Sequence, residues 1–95
     1  MAMVIGALRL KLVVYGSLSL KDKRRAIKSL KERLSNRFHV SVAEVGFLDH
    51  RQQSELGVAV VANGRAFVAS SLDKMVDYVR QDAAASLVDY EIEIF

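Results

Sequence analysis

After Gly6 the chain alternates. Leu8, Leu10, Leu12 and Val14 fall on one side, and Arg9, Lys11 and Val13 on the other. This pattern over residues 4–15 predicts a strand covered on one face. The period then lengthens. Ile27, Leu30, Leu34 and Phe38 follow at steps of three, four and four, with Leu20 ahead of them. That is the apolar stripe of an amphipathic helix, running to about Arg37. Ser19 stands at its N-cap, and Asp22 supplies a capping-box acid one methylene shorter than Glu. VSVAEVGF at 40–47 predicts a second strand, DHRQQS at 49–54 a turn, and LGVAVVA at 56–62 a third, central strand. Asn63-Gly64 stops that strand, with Asn63 as the expected cap of the next helix. Over residues 65–82, Val68, Leu72, Met75 and Val79 share one face. After a link at 83–86, LVDYEIEIF at 87–95 predicts the last strand. Val88, Tyr90, Ile92 and Ile94 are expected inward, and Asp89, Glu91 and Glu93 outward.

The order is β-α-β-β-α-β. Two split βαβ units with right-handed crossovers give an antiparallel sheet of strand order 4-1-3-2, with two helices on one face. This is the α+β ferredoxin-like sandwich, and all 95 residues are expected to form one domain. First and last strands then lie together, placing Arg9 and Lys11 across from Glu91 and Glu93 on the uncovered face, a charge match that supports the topology. The expected core is Leu8, Leu10, Leu12, Ile27, Leu30, Leu34, Val58, Val60, Leu72, Met75 and Ile92. Towards the third and second strands the open face turns apolar if Ala59, Val61, Ala43, Val45 and Phe47 point outward, and such a face predicts a homodimer. The second strand admits two parities: Val40 and Val42 towards the core with Glu44 at the end, or Ala43 and Val45.

Composition adds exclusions. Hydrophobic residues make up 52%, enough for a core. No Cys is present, which removes disulfides, thiolate metal sites and a cysteine nucleophile. No apolar run approaches the ~18 residues of a membrane span. The start, MAMVIGALRLKL, lacks a charged lead before its apolar run, so it reads as mature sequence and the cytoplasm is expected.

Charge changes the picture more. Residues 1–51 hold eleven Lys/Arg against four Asp/Glu, whereas residues 52–95 hold three against seven. Eight of the basic residues fall within 20–37, beside only two acids. Lys21, Arg24, Arg25, Lys28 and Lys31 lie off the apolar stripe, and Arg24, Lys28 and Lys31 form one ridge by their spacing. Lys21, Lys23, Arg24 and Arg25 crowd the first turns, where the helix dipole disfavours cations by about 0.3–1 kcal/mol each. A bound anion, phosphate above all, would relieve that conflict.

Other chemistry finds little footing. His50 with Asp49 and Glu55 lacks ligand spacing for a metal, and His39 suits a helix C-terminus, so no metal is expected. There is no GxSxG elbow and no phosphate-cradling GxxxxGK[ST] or GxGxxG loop, and no cofactor is expected. Asp89, Glu91 and Glu93 form a carboxylate row that Arg9 and Lys11 neutralise, so no enzyme is expected. The RNA-recognition motif shares this element order but stacks bases on aromatics of its central strands, and LRLKL and GVAVV carry none.

Ser19-Leu20-Lys21, Lys23-Arg24, Arg37-Phe38 and Val40-Ser41-Val42-Ala43-Glu44, with LGVAVVANG and DYEIEIF later, resemble the YlxP-like family of small bacterial proteins. The resemblance spans nearly the whole chain and implies a ferredoxin-like fold. Genes of that family commonly lie near those for transcription elongation and translation initiation factors, which implies work on RNA or ribosomes. It carries no site residues. The chain departs from the family pattern at His39, where Asn is common, and in the turn GFLDHRQQS. The expectation is a non-enzymatic factor that binds RNA or a ribosomal particle through phosphate contacts of Lys21, Arg24, Arg25, Lys28 and Lys31. The alternative is a dimeric protein–protein module that uses the open sheet face.

Overall fold

The computed structural model describes residues 2–95. The elements are β1 (Val4–Val13), α1 (Leu20–Phe38), β2 (Ser41–Gly46), β3 (Gln53–Ala62), α2 (Arg65–Arg80) and β4 (Ser86–Ile94). Every strand pairing is antiparallel, in the order β2-β3-β1-β4, which is the expected ferredoxin-like topology read from the other edge. Strict alternation makes β1 the axis of the fold: Leu8, Leu10 and Leu12 are buried beneath the helices, and Arg9 and Lys11 stay exposed on the open face. Ile27, Leu30 and Leu34 of α1 and Val68, Leu72, Met75, Val76 and Val79 of α2 close over them, with Leu56, Val58 and Val60 of β3. Of the expected core only Ile92 is no more than half-buried, because β4 is an edge strand. A Cβ at Gly6 would run into the Val68 side chain, so glycine there lets α2 seat against β1.

Helix ends follow the sequence in part. Ser19 Oγ accepts from the Asp22 N–H at 3.1 Å, and Asp22 Oδ2 reaches back to the Leu18 N–H at 3.2 Å. His39 closes α1 in the left-handed region (φ 54°, ψ 53°), its N–H donating to Ser35 O at 2.9 Å. Asn63 does not cap α2. Gly64 is the N-cap and no side chain accepts there.

Two bulges change the expected side-chain directions. Lys11 pairs with Asp89 but Leu12 with Leu87, which leaves Val88 as the extra residue. Leu87 therefore packs against the core and Val88 is exposed, the reverse of the sequence pattern. Tyr90, expected inward, opposes Leu10 but stays exposed at the sheet edge, with the Arg80 guanidinium 5.4 Å from its ring centre. Arg9 opposes Glu91, and the partner of Lys11 is Asp89 and not Glu93, which faces Ala7. In β2, Glu44 pairs with Leu56 and Gly46 with Glu55, so Val45 bulges. The parity of β2 is thereby settled: Val42 and Glu44 lie on the helix side, and Ser41, Ala43 and Val45 on the open face.

Candidate nucleic-acid interface

The basic residues of α1 separate into three groups. Lys23 leaves the surface altogether. It falls on the apolar stripe, four residues before Ile27, and is fully buried. Its Nζ donates to Glu44 Oε2 at 2.8 Å and to the carbonyls of Phe47 and Leu48 at 3.0 and 3.4 Å. All three ammonium protons therefore have acceptors. Glu44 Oε2 also accepts from Ser54 Oγ at 2.6 Å. The expected crowd of first-turn cations is one smaller than the sequence implied, because an internal carboxylate answers Lys23. The signal was present in the spacing: 23, 27, 30 and 34 share one helical face.

Arg24, Lys28 and Lys31 form the second group. They line a groove of about 530 Å³ between α1 and β2, together with Glu32, Ser35 and Val42. β2 is an outer strand, so the groove runs along an uncovered sheet edge. Arg24 also stands 3.6 Å from Asp49 in the β2–β3 turn, a contact between two largely exposed side chains. Such a pair contributes about 0–1 kcal/mol and leaves the guanidinium available. Lys21 and Arg25 form the third group. Both are exposed, and Arg25 leans to the other flank of α1, beside Ala26, Ser29, Asp82 and Ala84. Among the described residues, Lys21, Arg25, Lys28 and Lys31 make no ion pair. Three of the five expected residues thus converge and two flank them.

The turn beside the ridge is held from within. Phe47 adopts φ 58°, uncommon for a bulky residue, and its carbonyl accepts both from Lys23 Nζ and from the His50 N–H at 3.0 Å. His50 Nδ1 accepts the backbone N–H groups of Gln52 and Gln53 at 3.1 and 2.9 Å, which makes it a turn residue. On the open face Arg9 bonds Glu55 at 3.1 Å and approaches Glu91 at 3.6 Å, so two members of that charge row are tied. Among the described residues no three His, Asp or Glu side chains gather as a metal site would require, and no helix is long and apolar enough to cross a membrane.

Away from the ridge, Arg33 joins the helices. It donates to Asp82 Oδ1 at 2.7 Å and to the Tyr78 hydroxyl at 3.3 Å. Burial pushes the Asp82 carboxyl up, but the Ala85 N–H, the Arg33 guanidinium and the Ala84 N–H together hold it below its ordinary value. The hydrogen bond to Asp82 chiefly raises the Arg33 pKa in turn.

Residues 5–92 match the model of a protein family of unknown function, DUF503. An uncharacterised Bacillus subtilis (strain 168) protein, YlxP, is 30% identical over 76 residues, covering 80% of this chain and 83% of its own length. Among solved structures, the de novo designed protein Foldit4 superposes with a TM-score of 0.56 at 14% identity, covering 98% of this chain and 96% of the design. A Bacillus cereus protein provisionally named an antibiotic biosynthesis monooxygenase gives a TM-score of 0.47 at 9% identity, over 100% of this chain and 92% of its own. The likeness to the design is one of fold alone.

Proposed function

The chain belongs to the DUF503 family, and for this member we propose that it is a non-enzymatic, cytoplasmic factor that binds RNA, free or within a ribosomal particle, by its phosphate backbone. The observation that carries the reading is the groove beside β2, where Arg24, Lys28 and Lys31 converge, with Lys21 exposed at the start of their helix and Arg25 on its other flank. From Lys21 to Lys31 the ridge rises about 15 Å along α1, enough for several successive phosphates. Its side chains read charge and shape. On the open face, the centres of β1 and β3 carry Ala7, Arg9, Gly57 and Ala59, so base stacking on the sheet has no ring there to use. Sequence-independent binding follows, with affinity governed by counterion release.

The test is binding of homopolymeric and mixed single-stranded RNA across a salt series. For about five phosphate contacts, log K against log salt should slope near −3.5, from roughly −0.7 per contact. Reversing Arg24, Arg25 and Lys28 to Glu should weaken binding to every sequence alike and flatten the slope to below about half. Those side chains are exposed, so the fold should survive. A folded triple variant that binds RNA and ribosomal subunits as tightly as the parent chain would overturn the proposal.

A further inference from the structure

The sheet face opposite the helices has no cover, and its register divides it by size. Across one row run Ser41, Ala59, Ala7 and Glu93; across the next, Ala43, Gly57, Arg9 and Glu91. In these two rows the β2–β3 half is floored by Ser, Ala and Gly, with the exposed Val45 leaning over Gly57, and the β1–β4 half carries Arg9, Glu91 and Glu93 beside Ala7. A trough of about 460 Å³ lies over the small residues. It is bounded at one end by Val61, Ile5 and Phe95, which share a row; Val61 is 62% exposed and Phe95 66%.

From this we infer that the protein is a homodimer in which two copies press their open faces together about a twofold axis parallel to the strands, between β1 and β3. That axis lays β1 of each copy over β3 of its partner, and β4 over β2. Arg9 then covers the partner's Gly57, while Glu91 and Glu93 cover the partner's Ala43 and Ser41. Ile5 meets the partner's Val61, and Lys11 meets the partner's Glu55. In the two middle rows long charged side chains fall on small residues in both directions, and in the flanking rows Ile5 meets Val61 and Lys11 meets Glu55, which is the self-complementarity that an isologous interface needs. Arg9 enters already tied to Glu55 and Glu91, so its charge is partnered before the faces meet.

Charge selects the same axis. An axis across the strands would stack β4 on β4, with Asp89, Glu91 and Glu93 facing their own copies. The axis along the strands instead keeps the two acidic strands apart and lays each over the partner's uncharged Ser41 and Ala43. The area suffices. Four strands span about 19 Å and ten residues about 33 Å. With β2 shorter, at six residues, two such faces remove roughly 1,100 Å² from water, just above the ~1,000 Å² that a specific interface should clear. The two sheets would pack in the aligned manner of a β-sandwich. This inference does not depend on RNA binding, because α1 lies on the other side of the sheet.

Sedimentation equilibrium of the whole chain from micromolar to millimolar concentration decides the first part. The expected mass is twice the chain's 10.6 kDa. Val61→Lys and Ala59→Glu, each on the exposed face, should sediment at the single-chain mass with an unchanged circular dichroism spectrum. The chain has no Cys, so labels can be placed singly. With Glu91→Cys and Ser41→Cys chains spin-labelled and mixed, the distance between positions 91 and 41 across the dimer should be shorter than that between positions 91 in each copy. A single-chain mass throughout, folded variants that both remain dimers, or the opposite order of distances would overturn the inference. Should a variant unfold, the parent mass and the label distances still decide it.

Discussion

Replacing Lys23 by Met tests the reading of α1 most directly. The ammonium has no exposed surface, and it holds Glu44 and the carbonyls of Phe47 and Leu48. Met fits the apolar stem but supplies no proton. Glu44, whose side chain is 13% exposed, keeps only Ser54 as a donor, the Phe47 carbonyl keeps only the His50 N–H, and the Leu48 carbonyl loses the Lys23 proton. Breaking a buried pair from one side costs about 3–5 kcal/mol. Against the ~5–15 kcal/mol total of an ordinary domain this removes a large share. At about 4–8 °C per kcal/mol for a chain of this size, the midpoint should fall by more than about 12 °C. Urea unfolding at low temperature, where the variant remains folded, gives the free energy directly. Lys23→Met with Glu44→Leu should recover part of the loss, since a pair replaced from both sides no longer strands a charge, although the carbonyls of Phe47 and Leu48 still miss the ammonium protons. RNA affinity of the folded single variant should match that of the parent chain, because Lys23 is not part of the ridge. A loss below about 1 kcal/mol, within the usual range for surface changes, would refute burial of the ammonium and return Lys23 to the basic surface.

Asp82 bears on acid stability. Its folded-state pKa lies below the unfolded value, so its stabilisation is complete above the unfolded carboxyl pKa of about 3.9 and is lost as pH falls through the lower folded value. Asp82→Asn should lower the thermal midpoint at pH 7 and show a shallower decline below about pH 4, measured by calorimetry across that range. His39→Asn should raise the unfolding free energy by up to about 1 kcal/mol in urea titrations, since Asn tolerates the left-handed conformation at the end of α1 better than most side chains.

Much of the fold could be read from period alone. β1 and the stripe of α1 from Ile27 onward announce themselves because one face of each is apolar, and the charge match between β1 and β4 supported the neighbours that the element order implied. The misreadings have specific physical causes. Lys23 reads as surface by its residue type, although its position on the stripe is that of a core residue. Glu44 was its unseen complement: in VSVAEV apolar residues occupy both faces, and the acid that would ordinarily mark the solvent side points in towards Lys23. Val88 was placed inward because a bulge reverses parity without altering the sequence pattern. Asn63 has the chemistry of a cap, but the chain turns one residue later, at Gly64. The groove beside β2 was only half legible. The spacing of Arg24, Lys28 and Lys31 gave the ridge, whereas its opposite wall, Val42, depended on the parity of β2.

The uneven charge of the chain acquires a spatial meaning through the strand order. β2 and β4 are the two edges of one sheet, and α1, which carries most of the positive charge, lies along the β2 edge. The carboxylates of β4 lie at the other edge, on the opposite face. A monomer so built has a basic flank and an acidic flank about three strand spacings, roughly 14 Å, apart. At physiological salt, charges that far apart are largely screened from each other. The acids of β4 therefore do little to weaken phosphate binding at the ridge. In the proposed dimer each acidic strand lies about one sheet spacing, ~10 Å, from the open face of the partner's β2, and the sheet itself stands between those acids and the partner's α1. The ridge on the outer side of α1 therefore stays open in monomer and dimer alike. One asymmetry of sequence thus serves two surfaces, because the sheet lies between them.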